Sequence, residues 1–379
     1  MALEDPIYDA VERLEWDERK QEDTPHKRLR QFTRRTALSG GAAGIATMML
    51  EACGSSSKSS SASASSGGGS AASSIFGFSK KLKFTMVNHV TTNTFFTPTQ
   101  NGAADACKLL GCTYQWTGSQ SSNISEMVNA FNSAKAAGVD GLAISLIDLH
   151  AFNAPVASAI SAGIPVVSYN ADVPTNARLA YIGQDLLLSG QKVGEHIAAL
   201  VPSGDVALFI ATPGSLNLQP RIDGIMDTLK AHPSIKPHTV ATGAAVPAEL
   251  SAIQAYVTGH PNAKGLFAVD GGSTQGVAET MHKQSLTAKG VKGGGYDLQP
   301  ATETLLQAGV ISFAVDQQPY LQGFFPILEL YLYNASQKLT GIADVDTGLK
   351  FLDKTTIKPY ASTKSRYEGT GSSIGVQKA

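Results

Sequence analysis

"VISFAVDQQPY", residues 310–320, reads as an apolar strand that ends, without a turn glycine, in Asp316, Gln317, Gln318 and Pro319 before another apolar run starts at Tyr320. A segment built for burial thus delivers acid and amide side chains at its exit. The event recurs along the chain. Asn88 and His89 follow "KFTMV", Asn170 follows "PVVSY", Asp270 follows "GLFAV" and Asp297 follows "GGGY". In open α/β sheets ligands bind in the crevice beyond the carboxyl ends of the strands, so these exits are the positions to read for chemistry.

From Lys81 onward, short β-branched or aromatic runs alternate with longer amphipathic ones. The strand-like runs are 82–88, 112–116, 141–145, 165–169, 179–183, 205–211, 238–242, 265–269, 293–296 and 311–315. Between them, in "NISEMVNAFNSAKAAG", Ile124, Met127, Val128, Phe131 and Ala134 recur at helical steps, with Asn123 as cap and Gly138 as terminator. Such βαβα alternation predicts an α/β fold of parallel sheets with helices on both faces. Ten strands exceed what one open sheet usually holds, so two sheets are expected.

The chain has 379 residues, 42% hydrophobic and 16% charged, enough for two domains of common size. A formal net charge of −1 gives no general attraction to nucleic acid, and no nucleic-acid partner is expected. No apolar run reaches the ~18 residues of a transmembrane helix. At the N-terminus, Arg34 and Arg35 precede a charge-free stretch from Thr36 to Leu50, the layout of a twin-arginine-like export signal. It ends in "LEAC", which looks like a lipobox with Cys53 as the lipidation site, although Glu51 stands where small residues are usual. The competing reading is a buried Ala-rich helix. A Ser/Gly-rich tether follows, unable to bury enough apolar surface to fold. The protein is therefore expected to be exported and lipid-anchored at the cell surface or in the periplasm. Cys107 and Cys112 either form a disulfide or pack as two small buried thiols. No Cys or His pair has metal-ligand spacing, so no metal and no cofactor are expected.

Asp, Asn and Gln end in planar groups that bond two adjacent hydroxyls, which is polyol chemistry. Phe95 and Phe96 add aromatic faces suited to the C–H faces of a sugar ring, and Arg221 adds a donor fork. The plainer reading makes Asp and Asn at these places helix caps and turn formers. Capping accounts for neither the Phe pair nor the Gln.

With these residues in view, the stretch from about 81 to 345 resembles the periplasmic sugar-binding proteins of the ribose-binding type, the solute receptors of ABC importers. "NTFFTPTQNGAADACKLLG", "PVVSYNADVP", "YIGQDLLLSGQKVGEHI", "QPRIDGIMDTL", "GLFAVDGGSTQGVAETM", "VKGGGYDLQPATETLLQAG" and "FAVDQQPYLQG" match that family's segments in order. The resemblance implies two similar lobes, each a doubly wound parallel sheet in three α/β/α layers, joined by three crossings with the ligand cleft between them. The expected organisation is an export signal at 1–53, a tether at 54–80, a first lobe at 81–176 and 318–345, and a second at 177–317 and 346–379. Hinge crossings are expected near 171–178, 298–300 and 316–319. Carried over by position, His89, Asn93, Phe95, Phe96 and Asn170 line the first lobe, and Asp270, Tyr296, Asp297 and Gln317 complete the site. Gln219 and Arg221 both fall where the family places its ligand-binding arginine, with Asn217 close by, and spacing does not choose between them. Thr94 stands where that family usually has Pro, and "NA" at 170–171 replaces the Asp-Arg pair of ribose binders, which puts ribose itself in doubt.

These readings lead to a monomeric receptor that captures a neutral monosaccharide or polyol and delivers it to an ABC permease in the membrane. The alternative is a sensor of the same fold that presents its ligand to a membrane receptor or kinase. A repressor core would need a helix-turn-helix where the tether lies. An enzyme is not expected, since no G-x-G-x-x-G, Walker lysine or G-x-S-x-G elbow is present.

Overall fold

The computed structural model of the protein describes residues 76–339, 342–361, 363–367 and 376–378. The export signal with Cys53 and the tether up to residue 75 lie outside them. The described residues all fall within one compact unit.

Strands β1 (Lys83–Asn88), β2 (Thr113–Gly118), β3 (Gly141–Ile144), β4 (Val166–Tyr169) and β5 (Tyr181–Gly183) form one parallel sheet in the order β2-β1-β3-β4-β5. Strands β6 (Gly204–Ile210), β7 (Ile235–Ala241), β8 (Gly265–Ala268), β9 (Lys292–Tyr296) and β10 (Phe313–Asp316) form a second in the equivalent order β7-β6-β8-β9-β10. Both sheets reverse their order at their first strand, so each has a switch-point crevice at the exits of β1 and β6. Two short strands complete them. β11 (Val345–Asp346) pairs parallel with β5, and β12 (Lys350–Leu352) pairs antiparallel with β10.

The helices are α1 (Thr97–Leu110), α2 (Ile124–Ala136), α3 (Asn153–Ser161), α4 (Leu186–Leu200), α5 (Gln219–Leu229), α6 (Val246–Gly259), α7 (Gly271–Lys283), α8 (Pro300–Gln307), α9 (Leu321–Ala335) and α10 (Lys358–Ala361). In the first sheet, alternate residues of β1 face opposite ways. Phe84 and Met86 join a core with α1 and α9, whereas Val87 joins one with α2 and α3. In the second, Ala207 and Phe209 pack with α6 and α7, while Val206, Leu208 and Ile210 pack with α4 and α5. Period-two alternation over strands apolar on both faces is what a doubly covered parallel sheet demands. Pro237, which has no N–H to donate, sits in the edge strand β7.

The crossings correct part of the expected organisation. β5 pairs with β4, Tyr169 against Ile182, so the first boundary falls after Gly183 and not at 176/177. The expected hinge at 171–178 is a connection inside the first lobe, and that at 298–300 joins β9 to α8 inside the second. The chain passes from one sheet to the other at 184–185, 317–320 and 347–349, of which the sequence located the middle one. Residues 76–80, assigned to the tether, are docked. Phe76 and Phe78 each lie 6.0 Å from the Tyr331 ring, and Lys80 Nζ is 2.5 Å from the Asp140 carboxylate. Nor does the whole tail belong to the second lobe. Beyond α10, Arg366 meets Asp105 of α1 at 3.0 Å and the Tyr367 ring packs edge-on against Tyr320.

Candidate functional site

The exits of the two sheets face one another across a slot of about 50 Å³, measured as room for the centres of water-sized spheres and several times what one water needs. From the first lobe come His89, Asn93, Phe95, Phe96 and Asn170; from the second come Asn217, Arg221, Asp270 and Asp297, with Gln317 from the crossing after β10. These ten sequence-predicted residues are therefore brought together. Two others are not. Gln219, half-buried at the start of α5, accepts from Gly214 N and donates to Asp223, away from the slot. Tyr296 lies fully buried beneath it, its ring 4.1 Å from the Arg221 guanidinium and its hydroxyl 2.6 Å from Ser189. It supports the wall without lining it.

Local backbone geometry explains why the exits carry Asp and Asn. Asn170 and Asp297 both adopt left-handed φ, at 65° and 72°, which turns the chain off the strand end. Asn and Asp tolerate that region better than other non-glycine residues. Capping operates too. Asp270 accepts from Ser273 N at the start of α7, and Asn93 accepts from Phe95 N at the head of a 3-10 turn. The capping reading thus holds for Asp270 and Asn93, both of which also line the slot. Asp316, by alternation, points the other way and accepts from Gln318 N and the Tyr360 hydroxyl outside the slot.

Arg221 is placed by close helix packing. A Cβ on Gly190 would stand 2.2 Å from Arg221 O, and one on Gly224 would stand 2.3 Å from Leu187 O, so α4 and α5 approach backbone to backbone. The guanidinium, 2% exposed, donates from Nη1 to Val269 O at 2.8 Å, while its Nε has no partner among the described residues. Asp297 accepts from Gln317 Nε2 at 2.7 Å. Burial pushes the Asp297 carboxyl up to about 7, against the opposing pull of Arg221. Asp270, fixed by Ala211 N and Ser273 N, is raised by burial as well. Phe95 and Phe96 pack edge to face at 4.7 Å, with the His89 ring edge-on to Phe96 at 5.3 Å. Desolvation lowers His89 to about 4, so its ring is neutral. Its Nε2 accepts from Asn217 Nδ2 at 3.1 Å, across the slot, which leaves Nδ1–H to donate to Ser145. A second bond across the slot runs from Gln299 Nε2 to Asn93 at 3.3 Å, and Leu216 N donates to Ile147 O at 3.1 Å.

Sequence reading missed Glu249 of α6, which also lines the slot at 2% exposure. It stands in the first turn of a helix and not at a strand exit, so the rule that found the others passed over it. Gln184, Gln299 and Gln322 were missed as supports. Asn170 Nδ2 donates to Gln322, whose own amide donates to Gln317 O, while Asn170 Oδ1 has no partner. Cys107 and Cys112 are both buried, do not line the slot and bring their Sγ atoms to 2.7 Å of one another.

Chemically, the slot offers planar acceptors and donors around an apolar aromatic face, with one cation opposed by three carboxyl groups. That combination suits a neutral, hydroxyl-rich ring and rejects anions. The periplasmic binding protein domain matches residues 84–337. The xylose/arabinose-binding protein XylF of Sulfolobus acidocaldarius is 49% identical over 303 residues, 76% of this chain and 75% of that protein. The ribose import binding protein RbsB of Escherichia coli is 24% identical over 241 residues, 62% of this chain and 78% of its own. Among solved structures, an ABC transporter solute-binding protein from Burkholderia graminis, in complex with D-arabinose, superposes with a TM-score of 0.69 at 27% identity. It covers 74% of this chain and 98% of its own.

Proposed function

The chain belongs to the periplasmic binding protein family, and from that premise we propose that it is an extracytoplasmic solute-binding protein of an ABC importer whose ligand is a neutral aldopentose. The observation that carries this is the slot itself: two lobes present amide and carboxyl groups, an aromatic pair and one arginine to a single small volume. A pyranose ring fits such a wall because its rim hydroxyls find bidentate partners while its C–H face lies on Phe95 or Phe96. The pentose class follows from the similarity to a xylose/arabinose-binding protein and to a structure holding D-arabinose. Hinge closure about 184–185, 317–320 and 347–349 captures the sugar, which is released unchanged.

Cys53 carries the lipid in this reading, and the Ser/Gly-rich tether holds the monomeric receptor near the permease. One acyl chain is a weak anchor, so more than one is required on that cysteine. Calorimetry against D-xylose, L-arabinose, D-arabinose, D-ribose, hexoses and tetritols tests the ligand assignment. Binding of a pentose in preference to hexoses supports it, and the absence of heat with every pentose overturns it. Incubation of the protein with aryl pentosides is expected to release no phenol.

A further inference from the structure

Glu249 is a carboxyl group in the slot that strand-exit logic does not supply, and the protein makes room for it. A Cβ on Gly272, in the first turn of α7, would stand 1.7 Å from Glu249 Oε2 and 2.6 Å from its Cδ. Only glycine there lets the carboxyl seat in that notch. Asp270, the N-cap of α7 two residues before Gly272, lines the slot beside it, and its charge adds to burial in raising the Glu249 carboxyl. Among the described residues, no N–H or O–H reaches the buried Oε2. Asp270 already accepts from Ser273 N and Ala211 N. Two buried carboxyl groups lining one slot hold a proton between them more readily than two charges.

We propose, resting on the sugar-binding reading, that Glu249 is a specificity-determining residue of the slot: buried in its wall and seated by Gly272, it meets a ring hydroxyl at the α7 end. The pair presents one negative charge and an acceptor edge at neutral pH. An epimer whose hydroxyl points elsewhere leaves that edge buried and unpaired, which is how a site built to hydrogen-bond a hydroxyl rejects the wrong stereoisomer. Burial and the neighbouring Asp270 raise the Glu249 carboxyl to about 9, so the shared proton persists at neutral pH and leaves in mild alkali. Of the other titratable groups on the slot, Asp297, raised to about 7, is about nine-tenths ionised by about pH 8, and His89 is neutral throughout, so the change above pH 8 belongs to Glu249 and Asp270. On α7, which packs against α6, Glu279, His282 and Lys283 lie in the distal half of the helix, away from Asp270.

The test is calorimetry on the folded receptor with D-xylose, L-arabinose, D-arabinose and D-ribose, using wild type, Glu249→Gln, Glu249→Ala and Gly272→Ala, each checked for a cooperative melt. Gln keeps a donor toward Asp270 and an acceptor toward the slot. Glu249→Gln is therefore expected within about threefold of wild-type affinity at pH 7. Glu249→Ala and Gly272→Ala are expected to lose tenfold or more for the best sugar and to compress the range of affinities across the four. Between pH 8 and 10, above the range in which Asp297 ionises, wild-type affinity falls, while that of Glu249→Gln stays level. Wild-type affinities and ranking in both Glu249→Ala and Gly272→Ala overturn the assignment, as does a Glu249→Gln profile that falls with the wild type. If Glu249→Ala does not fold, the Gly272→Ala titration and the two pH profiles decide. Failure of wild type to bind any of the four overturns the sugar reading and this assignment with it; binding with unaltered variants overturns this assignment alone.

Discussion

At the scale of single residues, Arg221 combines roles that only arginine fills. It is flat enough to lie 4.1 Å over the Tyr296 ring, it donates to Val269 O, and its Nε–H has no partner among the described residues. Arg221→Ala is expected to weaken pentose binding by about 2 kcal/mol or more, roughly thirtyfold, because buried acceptors lose a charged donor. Arg221→Lys does not restore it, since an ammonium lacks the planar fork. Calorimetry decides: affinity recovered by lysine would reduce the role of Arg221 to bare charge. Asp270, Asp297 and Gln317 were legible in the sequence because strand exits in this architecture have one destination. Spacing left Gln219 and Arg221 as alternatives because they lie two residues apart at the head of α5, and helical rotation over two residues turns one side chain away when the other points in. Tyr296, the last residue of β9, lies one position before the turn at Asp297, so alternation sends it under the wall.

At the scale of elements, strands β1 to β10 and the two-sheet division follow from short β-branched or aromatic runs that alternate with amphipathic ones. β11 and β12, of two and three residues, carry too little alternation to be read, and both depend on partners distant in sequence. The first boundary went wrong for a related reason. β5 is three residues long, and nothing in "YIG" says which sheet it joins. Helix packing has a sequence correlate that is plain only in retrospect. Gly190 and Gly224 are the contact points of α4 and α5, and the contact fixes where Arg221 starts. Gly224→Ala would place a methyl 2.3 Å from Leu187 O, a backbone atom that cannot rotate aside. Overpacking of this kind costs about 1–3 kcal/mol, and the α5 displacement it forces is expected to lower pentose affinity as well. Denaturant unfolding and calorimetry on the same variant test both; lost stability with unchanged affinity would mean that α5 shifts without carrying Arg221 along.

At the scale of the whole molecule, bonds that cross the slot set the balance between open and closed lobes. The His89–Asn217 bond is one, and it exists only while the His89 ring is neutral, because protonation converts the Nε2 acceptor into a donor. Burial lowers that pKa from its usual 6.5 to about 4. The closed form therefore takes up this proton less readily than an open form in which the ring is solvated. The stability that neutral His89 gives to closure is present above 6.5 and is lost as pH falls toward 4. Carboxyl groups act in the opposite sense over the same range. Asp297, raised to about 7, and Glu249, raised to about 9, hold protons in the closed form that an open form gives up, so acid favours closure through them. Wild-type affinity alone thus mixes two opposed trends. The informative quantity is the ratio of wild-type to His89→Gln dissociation constants, in which the carboxyl contributions cancel to the extent that the sites are independent. Glutamine offers Asn217 an acceptor that does not titrate. On moving from pH 7 to 4.5, wild type is expected to lose roughly ten- to hundredfold in affinity relative to His89→Gln, the range spanned by about 2 units of differential protonation. X-ray scattering at a fixed subsaturating pentose concentration should show the same divergence as a larger radius of gyration for wild type at pH 4.5. A ratio that stays level across that range would mean that His89 stays neutral in both forms and that closure is governed by the carboxyl groups alone.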